Sequence, residues 1–374
     1  MIYFDNASTG GFKPNAVIES ASTVIKYLSA NPNRSGHRKA LVGMETIHNT
    51  RTLIAKHFNC SSDRVIFTKN CTESLNTAIL GSLKVGGHVI TTVYEHNSVL
   101  RPLTALKNKG LITLDIVNPY GQTDLVSAIK EKICDKTYMI VLNAVSNVTG
   151  IILPVQKVGE LAKKHNLLFV VDGAQAGGHI DLDMKENNIS MLALAGHKGL
   201  YGIMGSGVLL LDDSVDLEPL TYGGTGTESD NLCQPTFYPE RLESGTLNLP
   251  AISSLYEGMN YLVPNQTNFA THLTGMTKFL IDGLKKISKI SVYSIPNPCG
   301  IVAFAIKGIE SGVVADILNR DYDIAVRGGL HCAPLMHKYL RTFEHGLVRA
   351  SLAVQNSSHE LSFFIKSISE IASR

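Results

Sequence analysis

The sequence lacks the features that mark membrane proteins and nucleic-acid-binding proteins. No apolar run approaches the ~18 residues that span a bilayer. No stretch is rich in lysine and arginine, and the formal net charge over 374 residues is only +2. The opening residues, MIYFDNASTGG, do not show the charged segment followed by an apolar one that a signal peptide has. We therefore expect no membrane span, no secretion signal and no nucleic-acid partner.

Paired cysteines are missing as well. The six cysteines contain no CxxC pair and no disulfide-framework spacing, which favours a reducing cytoplasm. A single reactive thiol among them is compatible with this pattern. We interpret four of the cysteines as structural or incidental: Cys60, Cys134, Cys233 and Cys299.

Composition and the order of apolar segments indicate a two-domain α/β protein. Apolar residues make up 44% and charged residues 18%, which is typical of a globular chain, and 374 residues are many for one compact core. Strand and helix patterns alternate through residue 210, which predicts a mainly parallel sheet. From about residue 266 the order changes to that of a smaller α+β unit. We predict a large domain over 14–262 and a small domain formed by 1–13 and 263–374.

The most informative stretch contains two apolar runs. The run at 167–171 predicts a strand buried on both faces, and Asp172 stands at its carboxyl end. The run at 191–195 leads to Lys198, and Gln175 lies between the two runs among small residues. Ligands of open α/β sheets bind at the carboxyl ends of strands. We expect the acid, the amide and the amine to meet there.

These three residue types suit pyridoxal phosphate (PLP). Asp172 would keep the ring nitrogen protonated, because an opposite charge at close range favours the pyridinium. Gln175 would hydrogen-bond the phenolic oxygen, and Lys198 would hold the cofactor as a Schiff base and later carry the substrate Cα proton. The alternative is that Asp172 caps a turn and Lys198 is a solvated surface lysine. The order of the three residues favours the cofactor.

Two further segments follow strand ends. At 70–72 a strand meets a helix N-terminus, where free backbone N–H groups and the Thr72 hydroxyl would bind a phosphate. An ordinary threonine N-cap is the alternative there. His96 lies just past the next strand, where it would either stack on the pyridine ring or have no special role.

The segment at 327–334, RGGLHCAP, predicts a reactive cysteine. Its two glycines predict a mobile loop, in which Cys332 has Arg327 and His331 as close neighbours. Positive neighbours favour the thiolate, which is the nucleophile. The alternative is that Cys332 is a small buried hydrophobic residue. The flanking glycine, histidine and proline favour the loop and hence the reactive thiol.

Ten motifs along nearly the whole chain carry a family resemblance: YFDNAST, NPNRSGH, TKNCTES, YEHNS, VSNVTG, VVDGAQA, AGHKGLYG, RLESGT, RGGLHCAP and VRASLAVQN. By these motifs the chain resembles the class V (fold type I) PLP-dependent enzymes, close to the cysteine desulfurase and selenocysteine lyase family. The resemblance implies the PLP-dependent transferase fold type I. It has a large domain with a mainly parallel seven-stranded sheet and a smaller α+β domain that carries the cysteine loop.

The resemblance implies the same cofactor roles for the acid, the amide and the lysine, and it adds others. His96 would stack on the ring. Thr72, His197 and the backbone N–H of Cys71 would hold the phosphate. Thr246 would reach the phosphate of a neighbouring subunit, which implies a homodimer.

The implied reaction removes sulfur from L-cysteine and gives L-alanine and a persulfide on Cys332. Asn147 and Arg349 would hold the substrate carboxylate, the arginine by a bidentate fork, and His331 would also contact the substrate. An acceptor protein would then take the sulfur. Three alternatives stay open: a selenocysteine lyase, another class V reaction such as transamination or β-elimination, and a cofactor-bound scaffold or sensor without enzyme activity.

Three positions depart from the family pattern. Ala195 stands two residues before the His-Lys pair, where serine is frequent, so one expected phosphate hydroxyl is missing. Cys71 stands where threonine is frequent, and Leu330 stands where a second histidine is frequent. The last departure leaves His331 as the imidazole of the loop.

Overall fold

The computed structural model describes residues 1–32, 36–119 and 124–374. The middle of the polar loop predicted at 31–37 therefore lies outside the described residues. The helices are α1 (Asn15–Tyr27), α2 (Arg38–Phe58), α3 (Cys71–Gly81), α4 (Asn97–Asn108), α5 (Leu125–Lys130), α6 (Val155–Lys164), α7 (Leu249–Leu262), α8 (Gln266–Leu284), α9 (Ser311–Tyr322), α10 (Pro334–Tyr339) and α11 (Ser358–Ser373).

The described residues contain thirteen strands, two of which match the apolar runs at 167–171 and 191–195 to within one residue. They are β1 (Ile2–Tyr3), β2 (Val65–Thr68), β3 (Gly87–Thr92), β4 (Ile112–Val117), β5 (Thr137–Asn143), β6 (Leu168–Asp172), β7 (Met191–Ala195), β8 (Gly207–Leu211), β9 (Ile290–Val292), β10 (Ile301–Ile306), β11 (Ile324–Ala325), β12 (Arg327–Gly329) and β13 (Leu347–Ser351).

The largest sheet has seven strands in the order β2-β8-β7-β6-β5-β3-β4. The strands from β3 to β7 run parallel to one another, whereas β8 runs antiparallel to both β7 and β2. Every residue of β5, β7 and β8 is buried, as expected where helices cover both faces of a sheet. The predicted mainly parallel seven-stranded sheet is confirmed, with the reversal at β8.

The C-terminal part contains a four-stranded antiparallel sheet in the order β12-β13-β10-β9. Phe4, Phe304 and Phe364 meet in its core, and the rings of Phe4 and Phe364 pack edge to face with centroids 5.4 Å apart. β1 pairs with β11, so the first residues of the chain pack with this part. These contacts support the assignment of residues 2–4 to the small domain, whereas the assignment of 5–13 and the boundary at 262–263 stay predictions.

The sequence predicts that the two glycines before Cys332 lie in a mobile loop. In the structure they lie in β12. This strand pairs with β13, with Gly328 opposite Val348. A Cβ at Gly328 would clash with the backbone carbonyl of Ser311 at the start of α9. Gly328 is therefore needed for close packing, whereas Gly329 has a φ of 107°, a backbone conformation that favours glycine. The irregular segment that carries the cysteine is shorter, at 330–333, and is called the cysteine loop below.

Within the described residues, no helix has both the length and the apolar character that a membrane crossing requires.

Candidate active site

The carboxyl ends of the central parallel strands open into one pocket. Asn143 ends β5, Asp172 ends β6 and Ala195 ends β7, and all three line the pocket. Eight of the residues singled out in the sequence line it too: Cys71, Thr72, His96, Asn147, Asp172, Gln175, His197 and Lys198. We call this cavity the lysine pocket. Its position is the one at which α/β sheets bind ligands.

Two hydrogen-bond donors contact the buried carboxylate of Asp172. Its side chain is 2% exposed, and Oδ1 accepts the N–H of Ala174 at 2.9 Å. The Cys71 thiol lies 3.6 Å from the same oxygen. Burial raises the pKa of Cys71, and the nearby Asp172 charge acts in the same direction, so the thiol keeps its proton and donates it. The departure at Cys71 thus adds a contact to the carboxylate that sequence reasoning missed.

Lys198 lines the pocket with an amine whose pKa is lowered. Burial lowers the pKa of Lys198, and Arg349 and Arg327 act in the same direction. The negative charge of Asp172 opposes this change. A lysine with a lowered pKa has a larger neutral fraction at neutral pH and is therefore a better nucleophile and base.

The segment after β1 contacts Gln175 and His197, and His197 is the residue before Lys198. Gln175 Nε2 donates to the carbonyl of Ala7 at 2.9 Å. Lys13 Nζ donates to the carbonyl of His197 at 2.9 Å, and Thr9 Oγ1 lies 3.0 Å from His197 Nδ1. The opening of the chain therefore fixes two of the predicted cofactor residues. Sequence reasoning missed this, because nothing local links these residues to positions so far along the chain.

The N-terminus of α3 also lines the lysine pocket and supplies hydrogen-bond donors. Asn70 is the N-cap of α3 and accepts the N–H of Glu73 at 2.9 Å, so the alternative of Thr72 as an N-cap is wrong. The Thr72 hydroxyl lies 2.8 Å from Ser98 Oγ, which in turn lies 2.8 Å from His96 Nδ1. The first backbone N–H groups of a helix have no partner within the helix. Such groups and the Thr72 hydroxyl are donors that suit an anion, and the phosphate position stays a prediction.

Arg349 is a buried cation that already has an acidic partner. It is 1% exposed, and Nη2 lies 3.1 Å from Asp5 Oδ1 and 2.9 Å from Ser8 Oγ. Nη1 donates to the carbonyl of Asn147 at 2.8 Å. Burial lowers the pKa of Arg349 to about 10, against the opposing effect of Asp5, so the side chain stays charged at neutral pH. In the part of the chain that the structure describes, Nε of Arg349 and Oδ1 of Asn147 have no hydrogen-bond partner.

Cys332 lies on a loop that is tied to the lysine pocket. The Asn147 side chain donates to the carbonyl of His331 at 2.7 Å, and the carbonyl of Cys332 accepts the N–H of Asn97 at 2.8 Å. Cys332 has a left-handed backbone with φ of 57°, and its side chain is half-buried. Arg327 Nη2 lies 3.7 Å from the sulfur. The loop thus holds the Cys332 thiol beside the Arg327 guanidinium. It is also bonded to Asn97, the residue that follows His96.

His331 does not supply the positive charge that was expected beside Cys332. Its ring is buried, with Nε2 3.2 Å from the carbonyl of Arg327 and Nδ1 3.5 Å from His337 Nε2. Burial lowers the pKa of His331 to about 2, and the charge of Arg349 adds to this effect. The imidazole is therefore neutral, and the positive neighbour of the thiol is Arg327. Contact of His331 with the substrate stays a prediction.

Thr246 lies away from the lysine pocket of its own chain. It is exposed, and its hydroxyl accepts a hydrogen bond from Asn31 at 3.1 Å. It lines a separate surface cavity of about 730 Å³ that is formed largely by 220–224 and 242–248. One chain alone therefore does not bring Thr246 to the predicted phosphate position.

Comparison with known proteins identifies the family. The model of the family described as Aminotransferase class-V matches residues 2–364, and the chain belongs to this family. A probable cysteine desulfurase from Pyrococcus abyssi (strain GE5 / Orsay) is 33% identical over 382 residues, which cover 99% of this chain and 94% of the relative. A probable cysteine desulfurase from Methanothermobacter thermautotrophicus is 30% identical over 384 residues, with coverage of 99% and 94%.

Solved structures confirm the predicted fold class. The apo structure of a cysteine desulfurase from Thermococcus onnurineus NA1 matches with a TM-score of 0.92 and 31% identity, and the match covers 100% of this chain and 94% of that one. The chain therefore has the fold type I architecture of the PLP-dependent enzymes to which this family belongs.

Proposed function

We propose that this chain is a cysteine desulfurase that moves sulfur from L-cysteine to Cys332 and releases L-alanine. The observation that carries the proposal is the position of Cys332. Its loop is hydrogen-bonded to Asn147 of the lysine pocket and to the backbone beside His96. A thiol next to a guanidinium at the edge of a pocket that holds a buried amine suits attack on a substrate sulfur. Transamination has no use for such a thiol.

The residues of the pocket fit PLP. Asp172 is a buried carboxylate that would hold a protonated ring nitrogen, and Lys198 is an amine with a lowered pKa that would bind the cofactor covalently. The N-terminus of α3 and the Thr72 hydroxyl would hold the phosphate. When bound, PLP supplies an electron sink for the charge that develops at the substrate Cα.

Three further residues would orient the cofactor. Burial lowers the pKa of His96, so its ring is neutral and suited to stacking on the pyridine. Gln175 is fixed by the carbonyl of Ala7 and has a second amide hydrogen for the phenolic oxygen. Burial lowers the pKa of His197 to about 4, and in the tautomer in which Nδ1 accepts from Thr9, Nε2–H would donate to the phosphate.

Arg349 and Asn147 would bind the substrate carboxylate. The guanidinium is charged and keeps an unpartnered Nε within the described residues, as Asn147 keeps an unpartnered Oδ1. A buried donor without an acceptor costs about 1–3 kcal/mol, so a ligand that satisfies it is favoured by a similar amount. Asp5 balances the arginine charge before the substrate arrives.

Lys198 and Cys332 would perform the two chemical steps. The neutral amine of Lys198 takes the Cα proton of the bound cysteine. The Cys332 thiolate then attacks the substrate sulfur, so that a sulfur–sulfur bond forms as the carbon–sulfur bond breaks. The electron pair of the broken bond stays with the substrate, which becomes alanine after protonation. Arg327 holds the thiolate for this attack.

We infer a homodimer from the position of Thr246. It lies in the surface cavity formed by 220–224 and 242–248, which is apart from the lysine pocket of its own chain. A second chain seated on this surface would bring Thr246 to the phosphate of that chain.

Cys332 is half-buried, so an acceptor protein would take the sulfur at the cysteine loop. All six cysteines are free, which fits a reducing cytoplasm.

Replacement of Cys332 by alanine tests the proposed function. The PLP-loaded protein should form alanine from L-cysteine, and Cys332→Ala should lose this activity while it still binds the cofactor. Cys233→Ala, at another accessible cysteine, is the matched control and should keep wild-type activity. Full cysteine activity in Cys332→Ala would contradict the proposal. Activity of Cys332→Ala on L-selenocysteine alone would indicate a selenocysteine lyase.

A further inference from the structure

A cysteine and three polar side chains lie together at the amino ends of the strands, away from the lysine pocket. His88 is in β3, Asp115 is in β4, Thr137 begins β5, and Cys134 precedes it. We call these four residues the Cys134 cluster. The same strand β5 ends at Asn143 of the lysine pocket, so about 20 Å of extended chain separates the two places. The cluster therefore belongs to a different edge of the sheet.

The cluster has the geometry of a nucleophile, a base and a residue that orients the base. Cys134 Sγ lies 3.6 Å from His88 Nδ1, and His88 Nε2 lies 3.5 Å from Asp115 Oδ2. The Thr137 hydroxyl lies between the sulfur and the ring, 3.5 Å from Sγ and 2.8 Å from Nδ1. A proton that leaves the thiol can therefore reach the imidazole directly or through the threonine hydroxyl.

The protonation states suit this path. Burial lowers the pKa of His88, so the ring is neutral, although Asp115 acts in the opposite direction. With Nε2–H donated to Asp115, Nδ1 is the acceptor that faces the thiol. Once His88 has taken the proton, Nδ1–H can donate to the Thr137 hydroxyl, and that hydroxyl can donate to the sulfur. This hydrogen bond lowers the pKa of the Cys134 thiol, and the charge of Asp135 opposes this. The thiolate is the form that attacks.

The thiol is also accessible to small molecules. Cys134 is exposed and lines a surface cavity of about 450 Å³. The cavity is lined by charged groups of both signs from the neighbouring elements: Asp115, Glu131, Lys132 and Lys136. Cys233 is exposed as well, but among the described residues its sulfur has no histidine or hydroxyl partner. It is therefore a natural internal reference.

We propose that Cys134 is a second nucleophilic thiol of this protein and that it forms mixed disulfides with small disulfides, with His88 as its base. In this step the Cys134 sulfur attacks one sulfur of the disulfide. A new sulfur–sulfur bond forms as the old one breaks, and the other half leaves as a thiolate. That thiolate takes the proton that His88 received from Cys134, so no further oxidant or reductant is needed.

The test uses hydroxyethyl disulfide, a neutral reagent, on the full-length PLP-loaded protein at pH 7. Mass analysis of tryptic peptides follows the modification of Cys134 and Cys233 over time. Base assistance predicts that Cys134 reacts roughly tenfold faster than Cys233, or more. Equal rates at the two cysteines would overturn the proposal.

Two charge-removing variants separate the role of His88 from simple electrostatics. Asp135→Asn removes a negative charge that acts on the Cys134 thiol, and Asp115→Asn removes one that acts on His88 and lines the same cavity. If the two carboxylates acted on Cys134 by charge alone, both variants would react faster. The proposal predicts that Asp135→Asn reacts faster and that Asp115→Asn reacts more slowly, because Asp115 orients the base. A faster reaction in both variants would overturn it, and His88→Gln should be slow like Asp115→Asn.

Discussion

Arg327 places its guanidinium 3.7 Å from the sulfur of Cys332. The same guanidinium lies 3.4 Å from Ser8 Oγ, so it links the cysteine loop to the opening segment of the chain. His331, although adjacent to the cysteine, is buried and neutral. The positive charge beside the Cys332 sulfur therefore comes from β12 and not from the loop itself.

Loss of this guanidinium should slow the sulfur transfer. We expect Arg327→Ala to reduce alanine formation from L-cysteine roughly tenfold to a hundredfold, because a charge-assisted contact of about 1.5–3 kcal/mol to the thiolate is removed. Arg327→Lys keeps a positive charge and should lose less. The reaction of Cys332 with iodoacetamide at pH 7 measures the same effect without substrate. An Arg327→Ala variant whose Cys332 is alkylated at the wild-type rate would contradict this role.

Asp5 should position Arg349 for the substrate carboxylate. Asp5 Oδ1 accepts from both Ser8 Oγ, at 2.8 Å, and Arg349 Nη2, at 3.1 Å. Asp5→Ala removes both contacts, and we expect the KM for L-cysteine to rise about tenfold with a smaller change in kcat. Asp5→Asn keeps an oxygen that can accept both bonds, so its KM should stay near the wild-type value. A wild-type KM in Asp5→Ala would show that Arg349 is positioned without it.

The thiol of Cys71 should stabilise the buried charge of Asp172. We expect Cys71→Ala to lower the free energy of unfolding of the PLP-free protein by about 1–3 kcal/mol, because the carboxylate loses a donor. Cys71→Ser keeps a hydroxyl donor and should lose less. Denaturant titration at pH 7 gives the values.

Cys299→Ala is the matched control for the lost sulfur volume. Cys299 is 5% exposed, and burial raises the pKa of its thiol to about 12. No carboxylate contacts its sulfur among the described residues. If Cys71→Ala and Cys299→Ala cost the same free energy, the loss at Cys71 is one of packing and the hydrogen bond to Asp172 contributes nothing.

Glu95 should make the stability of the protein depend on pH. It is fully buried, its Oε1 accepts from Thr92 at 2.7 Å and from the N–H of Asn143 at 3.1 Å, and its Oε2 has no partner among the described residues. Burial raises the pKa of Glu95 from 4.5 to about 8. The folded protein therefore holds a proton that the unfolded chain releases above pH 4.5, so stability falls as pH rises towards 8.

The variant Glu95→Gln should remove this dependence. The full difference in pKa corresponds to roughly 5 kcal/mol, which is an upper limit for the effect. Denaturant unfolding between pH 5 and 8, a window set by the raised pKa, should show a smaller loss of stability in Glu95→Gln than in the wild type. The exposed Glu160→Gln is the control and should keep the wild-type slope. Parallel curves for the wild type and Glu95→Gln would show that Glu95 is ionised in the folded protein.

The lysine pocket can be predicted from the sequence because short stretches of adjacent residues indicate it. The apolar runs that become β6 and β7 are short and bounded by small residues, and they place Asp172 and Lys198 at neighbouring strand ends. The opening segment could not be placed in this way. Its contacts join Ala7 to Gln175 and Asp5 to Arg349, which are 168 and 344 positions apart.

The glycines before Cys332 show a second limit of sequence reasoning. A glycine pair favours a flexible loop when only its neighbours are considered. In the structure, Gly328 is needed because the backbone of α9 passes too close for a Cβ, and β12 pairs with β13. The positive charge expected on His331 is wrong as well, because burial of the ring and the charge of Arg349, 18 positions further along the chain, lower its pKa.

The central claim is that the thiol of Cys332 receives the substrate sulfur. It is tested most directly by one turnover of the PLP-loaded protein with L-cysteine, without any added thiol, followed by mass analysis of the Cys332 peptide and assay of alanine. The account predicts one added sulfur on Cys332 for each alanine formed. Alanine together with free sulfide, and an unmodified Cys332 peptide, would contradict it.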